Sequence, residues 1–244
     1  MGFCEDHSFV EDIWATELIA AFESDPRVAA VAPAFVNPNP VYPVSRAQFA
    51  AYFGRYARDR WDAAWHTVAG LPWHNTAYRS DILTSVGDEL GHALEVEGYL
   101  QEQIRERFPD SQFIFTVKTA THHVNVSRLG PACRHALVGG RLYATERAAR
   151  LRWSPVRRAL QALASPLIPF VRLGRDRSLL NAAVRGPMDG ANLWLHAFVI
   201  AIFHAVGEAA GSVLPRTDLI ARYSDFECRR ARFVQPADMA MLEL

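Results

Sequence analysis

The chain has 244 residues, half of them hydrophobic and about a fifth charged, which is ordinary for a globular protein. Its 26 basic and 26 acidic side chains cancel, and its three cysteines, Cys4, Cys133 and Cys228, stand far apart, so neither a disulfide framework nor a zinc knuckle is indicated. Residues 1–9 lack the basic and apolar regions of a signal peptide, and we expect a reducing, cytoplasmic setting.

The neutral total hides a charge asymmetry between two parts of the chain. Residues 1–130 carry 17 acidic and 10 basic side chains, whereas residues 131–244 carry 9 acidic and 16 basic ones, all of them arginine. An arginine-rich half favours a phosphate group or an anionic membrane as its neighbour, and an acidic half packed on a basic half explains the same counts. Both interpretations stay open. No nucleic-acid-binding motif accompanies the arginines, so we expect no DNA or RNA partner.

The first part of the chain alternates helical and strand patterns. Trp14–Phe22 has apolar residues at helical spacing, and the apolar, partly β-branched run Val28–Phe35 predicts a buried strand. Residues 37–43 are rich in Asn and Pro and predict a loop. Gln48–Trp65 predicts a helix with many aromatic side chains. Sugars bind on aromatic faces, but a stripe at this spacing is more often core, and we favour the core.

The stretch Leu71–Leu100 organises the rest of the sequence. It runs through a polar turn, a helical pattern and the acidic pair Glu95 and Glu97, and it leads into a second predicted helix, Tyr99–Arg107. The polar groups of the turn are His74, Asn75, Tyr78 and Arg79. A donor-rich loop that leads to a carboxylate is a common way to build a polar substrate pocket. A predicted strand, Phe113–Val117, and a histidine pair then follow.

The order of these motifs resembles that of family 2 glycosyltransferases of the GT-A type, from about residue 2 to about residue 173. Residues 71–79 resemble the G-x-N-x-x-x-R-R motif that lines the sugar pocket in that family. Glu97-Gly98-Tyr99-Leu100 resembles the E-D-x-x-L pattern that carries the catalytic base, although Val96 stands where the family has the preceding Glu. The resemblance implies an α/β fold, a partial GT-A-like (Rossmann-like) sheet with a helical C-terminal extension.

The resemblance also implies roles for individual residues in an inverting sugar transfer. The donor is a nucleotide-sugar, and the acceptor is a hydroxyl of a sugar or of a lipid-linked acceptor. Glu97 is the expected base and Glu95 the nearest alternative, although a carboxylate on a helix surface is often plain surface charge. The residues that resemble positions contacting sugar or phosphate are His74, Asn75, Tyr78, Arg79 and Asn125.

A divalent metal is the cofactor that the resemblance implies. Glu5-Asp6-His7 resembles the D-x-D-like triplet that holds the metal on the donor diphosphate, and His123 matches the histidine that completes the site in some members. The expected ion is Mn²⁺ or Mg²⁺, and a nitrogen ligand suits manganese better. Taken alone, the triplet is equally consistent with a polar tail, and the histidine pair with a solvated loop.

In the family, strand–helix units that hold the nucleotide precede the metal triplet. The resemblance therefore assigns residues 1–130 to the C-terminal half of a catalytic domain and residues 131–244 to an arginine-rich helical extension. An upstream segment or a partner chain is then expected to supply the nucleotide half. The alternative function is a truncated, non-catalytic domain that binds a partner chain or an anionic membrane surface.

The extension contains two apolar segments among its arginines. Two prolines in Ser165–Phe170 rule out an uninterrupted helix there. Leu193–Val206 is apolar on nearly every side and predicts either a core helix, which we prefer, or a peripheral contact with the inner face of a membrane. His204 and Glu208 have the i, i+4 spacing of metal ligands, but the sequence offers no evident third ligand.

Overall fold

A computed structural model of the chain describes residues 1–72, 75–95, 99–214 and 219–242. The chain forms two compact units that are not contiguous in sequence. The first unit consists of Met1–Val36 and Arg55–His123, and the second consists of Asn37–Gly54 and Val124–Leu244. The first unit contains the β-sheet and the second is helical, so the predicted α/β class is confirmed at this level.

We number the regular elements in chain order. The strands are β1 (Ser8–Val10), β2 (Val28–Val36), β3 (Trp65–Thr67), β4 (Ala77–Tyr78) and β5 (Gln112–His123). The helices are α1 (Trp14–Ser24), α2 (Pro43–Tyr52), α3 (Ser80–Val86), α4 (Leu90–Glu95), α5 (Tyr99–Arg107), α6 (Leu129–Arg150), α7 (Pro155–Ala164), α8 (Ile168–Arg175), α9 (Arg177–Ala182), α10 (Pro187–Val213), α11 (Leu219–Glu227) and α12 (Pro236–Met239).

The sheet of the first unit is mixed, in the order β1-β5-β2-β4, with β3 also paired to β5. Strands β2 and β5 are parallel, while β1 and β3 run antiparallel to β5, and β4 runs antiparallel to β2. The pairing of β1 places Ser8 opposite His123, at the carboxyl end of β5. The segment just before β1 is therefore brought to the end of the longest strand.

Helices cover both faces of this sheet. Leu83 of α3 and Ile104 of α5 pack with Phe113 and Phe115 on one side, whereas α1 buries Leu18 against the other. Burial on both faces explains why β2 reads as a continuous apolar run instead of an alternating one. The predicted strand over residues 28–35 and the predicted helices over residues 14–22 and 99–107 are confirmed.

The predicted single helix over Gln48–Trp65 is wrong. Helix α2 ends at Tyr52, two short 3₁₀ turns follow at 54–56 and 58–60, and β3 begins at Trp65. The aromatic residues that suggested one helix belong to two different units. Those after residue 54 are part of the first unit, where the rings of Tyr56 and Trp61 pack on Phe115 of the sheet at 5.6 and 5.0 Å between centroids. Both side chains are partly buried and pack against the core of the first unit, in line with the expectation that they serve the core.

The second unit is built around the close packing of α6 on α10. A Cβ atom added at Gly207 would collide with the Leu137 carbonyl oxygen, and one added at Gly140 would collide with that of His204. The glycines therefore allow the two backbones to approach one another. A 3₁₀ turn over 165–167 separates α7 from α8, as the two prolines predict.

Helix α10 is longer than the predicted segment Leu193–Val206. Within the described part of the chain, its residues Met188–Val213 form the one stretch that is long and apolar enough to cross a membrane by length and composition. About 44 % of its most apolar window is buried in the protein. One face packs inside the unit through Leu193, Ala197 and Ile200, as a core helix does.

Candidate metal centre

Three segments distant in sequence meet at the end of β5. Residues 1–3 run beside 76–78, because the Phe3 amide donates to the Thr76 carbonyl at 3.1 Å and the Tyr78 amide donates to the Met1 carbonyl at 2.8 Å. This pairing continues to the Glu5 amide, which donates to Asn75 Oδ1 at 3.1 Å. The register of β1 on β5 then brings His7 to His123.

The ligand atoms of Glu5, His7 and His123 converge on one point. His7 Nε2 and His123 Nε2 are 3.2 Å apart, and Glu5 Oε2 is 3.2 Å from His123 Nε2 and 3.7 Å from His7 Nε2. His123 is fully buried, His7 is 7 % exposed, and the Glu5 side chain is 14 % exposed. The alternative of a solvated loop at the histidine pair is wrong for His123, because β5 extends to this residue.

These distances fit a shared ion. Bonds of about 2.1 Å to one ion, at angles between right-angled and tetrahedral, place two ligand atoms about 3.0–3.4 Å apart. Two of the three separations lie in this range, and the third exceeds it by a few tenths of an ångström. Among the described residues, Glu5, His7 and His123 are the one group of three potential ligands whose atoms lie this close together.

Two neighbouring side chains fix the orientation of these ligands. The Asp6 carboxylate lies 2.9 Å from His7 Nδ1, so it accepts the ring hydrogen there and leaves the Nε2 lone pair facing the cluster. The Asn75 amide donates to Glu5 Oε2 at 2.7 Å. Asn75 is itself fully buried and has a positive φ of 61°, a conformation that Asn tolerates better than most residues.

The hydrogen positions of the cluster also favour a cation. With His7 Nδ1–H directed at Asp6, His7 Nε2 is an acceptor, as is the Glu5 carboxylate. A cation placed among the three ligand atoms would be attracted by all of them, which makes the group a candidate metal centre with two histidines and one carboxylate.

The donor set discriminates among metals. Two imidazole nitrogens and one carboxylate oxygen suit Mn²⁺, Fe²⁺, Co²⁺ or Zn²⁺, whereas Mg²⁺ and Ca²⁺ prefer oxygen ligands. Of the two ions that the sequence suggests, manganese is the better match. Asp6, predicted as a ligand, lies outside the three-atom group, and its carboxylate contacts the far nitrogen of the His7 ring.

The remaining predicted residues of the first unit have other placements. Glu97 and His74 lie outside the described residues, as does the side chain of Glu95 at the end of α4. Tyr78 is buried in the core, where burial raises the pKa of its hydroxyl to about 12 and Gln101 donates to that hydroxyl at 3.2 Å. Arg79 donates to the carbonyls of Val28 and Phe22 and so fastens the turn between α1 and β2.

Asn125 belongs to a network of asparagines in the second unit. Its amide group donates to Asn37 Oδ1 at 3.0 Å, and its backbone exchanges two hydrogen bonds with the Asn39 side chain, at 2.7 and 2.9 Å. All of Asn39 and nearly all of Asn125 are buried. These contacts hold the loop of residues 37–42 in place, and they give Asn125 a structural task that the sequence motif alone does not reveal.

The spacing of His204 and Glu208 does produce a contact, of a different kind from a metal centre. His204 Nδ1 lies 3.1 Å from Glu208 Oε1, but Arg172 donates to His204 Nε2 at 2.8 Å. The arginine takes the lone pair that a metal would need. Arg172 is far from both residues in sequence, so no local pattern could have predicted this contact.

The chain matches no protein-family model, no curated protein sequence and no solved structure. Its function is therefore inferred from the geometry of the candidate metal centre and from the motifs of the sequence.

Proposed function

We propose that the first unit is the metal-binding and acceptor side of an inverting glycosyltransferase of the GT-A type, which transfers sugar from a nucleotide-sugar to an acceptor hydroxyl. The observation that carries the proposal is the convergence of Glu5, His7 and His123. The motif resemblance pairs this triplet with a histidine after a later strand. His7 and His123 are 116 positions apart, and their Nε2 atoms lie 3.2 Å from one another.

Glu5, His7 and His123 are the residues that would hold the ion. When bound, a divalent metal neutralises charge on the diphosphate leaving group of the donor. Asn75 and Asp6 keep the carboxylate and the His7 ring directed at the site through the hydrogen bonds described above.

The chemical step needs a base, and we assign it to Glu97 with Glu95 as the alternative. The acceptor oxygen forms a bond to the anomeric carbon as the bond from that carbon to the diphosphate breaks, and the carboxylate receives the hydroxyl proton. We assign Tyr78 and Arg79 to positioning the loop that carries Asn75, because their contacts are with the core and with backbone carbonyls. His74 remains a proposed substrate contact.

Calorimetric titration with a panel of nucleoside diphosphates, with and without Mn²⁺, tests the proposal. We expect metal-dependent binding in the micromolar range, about −8 kcal/mol. His123→Ala should abolish this binding, whereas His122→Ala should preserve it, because His122 is half-buried beside Glu11 and outside the cluster. Binding of Mn²⁺ without any nucleotide effect, across the whole panel, would contradict the transferase proposal.

The assignment of the base has its own test. In a transfer assay, Glu97→Gln should lower kcat by at least about 100-fold, the range typical of a lost general base. Glu95→Gln is the matched control, since it removes the same charge two residues away. If Glu97→Gln keeps full activity and Glu95→Gln does not, the base is Glu95.

A second candidate function is a metal centre that only stabilises the fold. The burial of the cluster favours it, because structural metal sites are closed whereas catalytic sites keep an open position. A purely structural metal centre would fit the alternative function, a non-catalytic domain. It predicts that Mn²⁺ or Zn²⁺ raises the unfolding temperature while nucleoside diphosphates add nothing, and the calorimetric panel therefore separates the two candidates.

A further inference from the structure

Helix α7 exposes its apolar face to solvent. Its large apolar side chains, Val156, Leu160 and Leu163, follow the i, i+4, i+7 spacing of one face and are 61 to 78 % exposed. The residues of α7 that are partly buried are instead Arg158, Gln161 and one alanine. A surface helix of a globular protein normally buries its apolar stripe, so the apolar face of α7 is available for a partner.

The exposed apolar surface continues beyond α7. Leu167 in the following 3₁₀ turn and Phe170 and Val171 of α8 are each more than 60 % exposed. Both helices pack on α10, which also exposes Leu195 and Val206. Single exposed apolar residues are normal, whereas a run of them on adjoining helices marks an interaction surface.

The charge of this segment specifies the partner. Residues 147–175 contain seven arginines and no Asp or Glu. The Arg157 guanidinium lies over the Trp153 ring, 4.8 Å from its centroid, and Arg147 lies over the same ring at 5.4 Å. Apolar side chains flanked by cations are the composition of a helix that lies in the headgroup region of an anionic bilayer.

We propose that residues 154–175 bind the surface of an anionic lipid bilayer, with the apolar face of α7 and α8 inserted at the level of the headgroups and with Arg157 and Arg158 facing lipid phosphates. A second copy of the chain that docked through the same face is a poor occupant, because it would set one arginine-rich segment against another. An acidic protein would also match the positive charge of this segment, and equal partitioning on the two vesicle types described below would favour it. The proposal is independent of the metal centre.

Vesicle flotation of the whole chain tests the proposal, with vesicles of phosphatidylglycerol and phosphatidylcholine compared with phosphatidylcholine alone. We expect partitioning at least about 10-fold stronger on the anionic vesicles, weakening as salt rises. The double variant Leu160→Glu, Leu163→Glu should lower it at least about 10-fold. Arg157→Gln with Arg158→Gln should lower it about 5-fold for each arginine removed.

Matched controls stand elsewhere on the surface. Ile19→Glu replaces an apolar side chain of α1 that is 55 % exposed, and Arg55→Gln with Arg60→Gln removes two exposed arginines of the first unit. Both should bind vesicles like the natural chain. Equal partitioning on both vesicle types, or no change in the α7 variants, would overturn the proposal. Sedimentation showing a dimer that Leu160→Glu with Leu163→Glu dissociates would overturn it in favour of a second copy.

Discussion

Each of the two units has a cluster of histidine and carboxylate side chains, and these two clusters differ in the third group that completes them. In the first unit, Glu5 and His7 meet a second imidazole, His123, and three ligand atoms face one another. In the second unit, His204 and Glu208 meet a guanidinium, because Arg172 donates to His204 Nε2 at 2.8 Å. The third group decides whether a histidine and a carboxylate form a candidate metal centre or an internal ion network.

The second unit contains another histidine, carboxylate and arginine group, at His135. Its Nε2 lies 2.6 Å from Glu227 Oε1, and Arg230 donates from Nε to the other oxygen of Glu227 at 2.8 Å. Burial opposes ionisation of Glu227, but Arg230 and His135 hold the pKa of this carboxyl well below its usual range. Arg230 therefore balances the buried carboxylate of Glu227 in the helical unit, whereas Glu5, His7 and His123 form the candidate site for an added cation in the first unit.

The largest expected effect concerns the ligands themselves. His7→Ala should weaken Mn²⁺ binding by more than about 100-fold, which exceeds the loss usual for an outer-shell partner. His204→Gln should leave Mn²⁺ affinity unchanged, because its cluster is completed by an arginine. Equilibrium dialysis of both variants checks this contrast. Comparable losses of Mn²⁺ affinity in the two variants would contradict the proposed difference between the two clusters.

A second prediction concerns the close packing of α6 on α10, the helix that carries His204 and Glu208. Gly207→Ala should lower the free energy of unfolding by about 1–3 kcal/mol, because the added Cβ meets the Leu137 carbonyl oxygen across the contact of α6 with α10. Gly174→Ala on α8 is the matched control. A Cβ there meets nothing within 4 Å, so this variant should be up to about 1 kcal/mol more stable.

Chemical denaturation with and without Mn²⁺ measures both glycine variants. Because the ion binds the first unit in this account, Mn²⁺ should not selectively rescue Gly207→Ala. Equal stability of Gly207→Ala and the natural chain would show that the two helices are less tightly packed than the structure indicates.

The support of the metal ligands gives a smaller effect. Asn75→Gly should reduce Mn²⁺ affinity about 10-fold to 100-fold, because Glu5 loses the amide that donates at 2.7 Å. Asn75→Ala should show the same loss and a further destabilisation of about 1–2 kcal/mol, since alanine is strained at a φ of 61°. Isothermal titration and denaturation separate the two contributions. Full Mn²⁺ affinity in Asn75→Gly would show that Asn75 does not support the metal ligands.

The smallest effect is a pH dependence in the helical cluster. Burial, together with Arg172 and His135, lowers the pKa of His204 even though Glu208 opposes the shift. The unfolded chain therefore binds this proton at a higher pH than the folded chain. The contribution to stability is complete above about pH 6.5 and is lost as the pH falls below that value, by at most about 1.4 kcal/mol per pH unit.

Denaturation of the natural chain and of His204→Gln between about pH 7.5 and 5 measures this component. The difference in unfolding free energy between the two proteins should shrink as the pH falls. A constant difference across the range would mean that the imidazole is not held neutral by its neighbours.

Local patterns predicted the elements whose residues all pack in one place. The helix over residues 99–107 and the strand over residues 28–35 are of this kind, since each belongs to the first unit throughout. The pattern over Gln48–Trp65 failed because its aromatic side chains are divided between two units, and helical spacing does not encode that division.

The members of the three-residue cluster were named from the sequence, whereas the side chains that support them were not. The family resemblance pointed to Glu5, His7 and His123, together with Asp6, which lies outside the cluster. The pairing of Asn75 with Glu5 depends on residues 1–3 running beside residues 76–78, a contact between segments more than 70 positions apart. No sequence period records such a pairing, and the same holds for Arg172 on His204.

Anomalous diffraction at the manganese edge, from a crystal of the chain soaked in Mn²⁺, tests directly whether Glu5, His7 and His123 hold an ion. We expect one strong peak bounded by Glu5 Oε2, His7 Nε2 and His123 Nε2, absent from His123→Ala and retained in His122→Ala. A strong peak elsewhere with none at these three atoms, or a peak that survives His123→Ala, would contradict it.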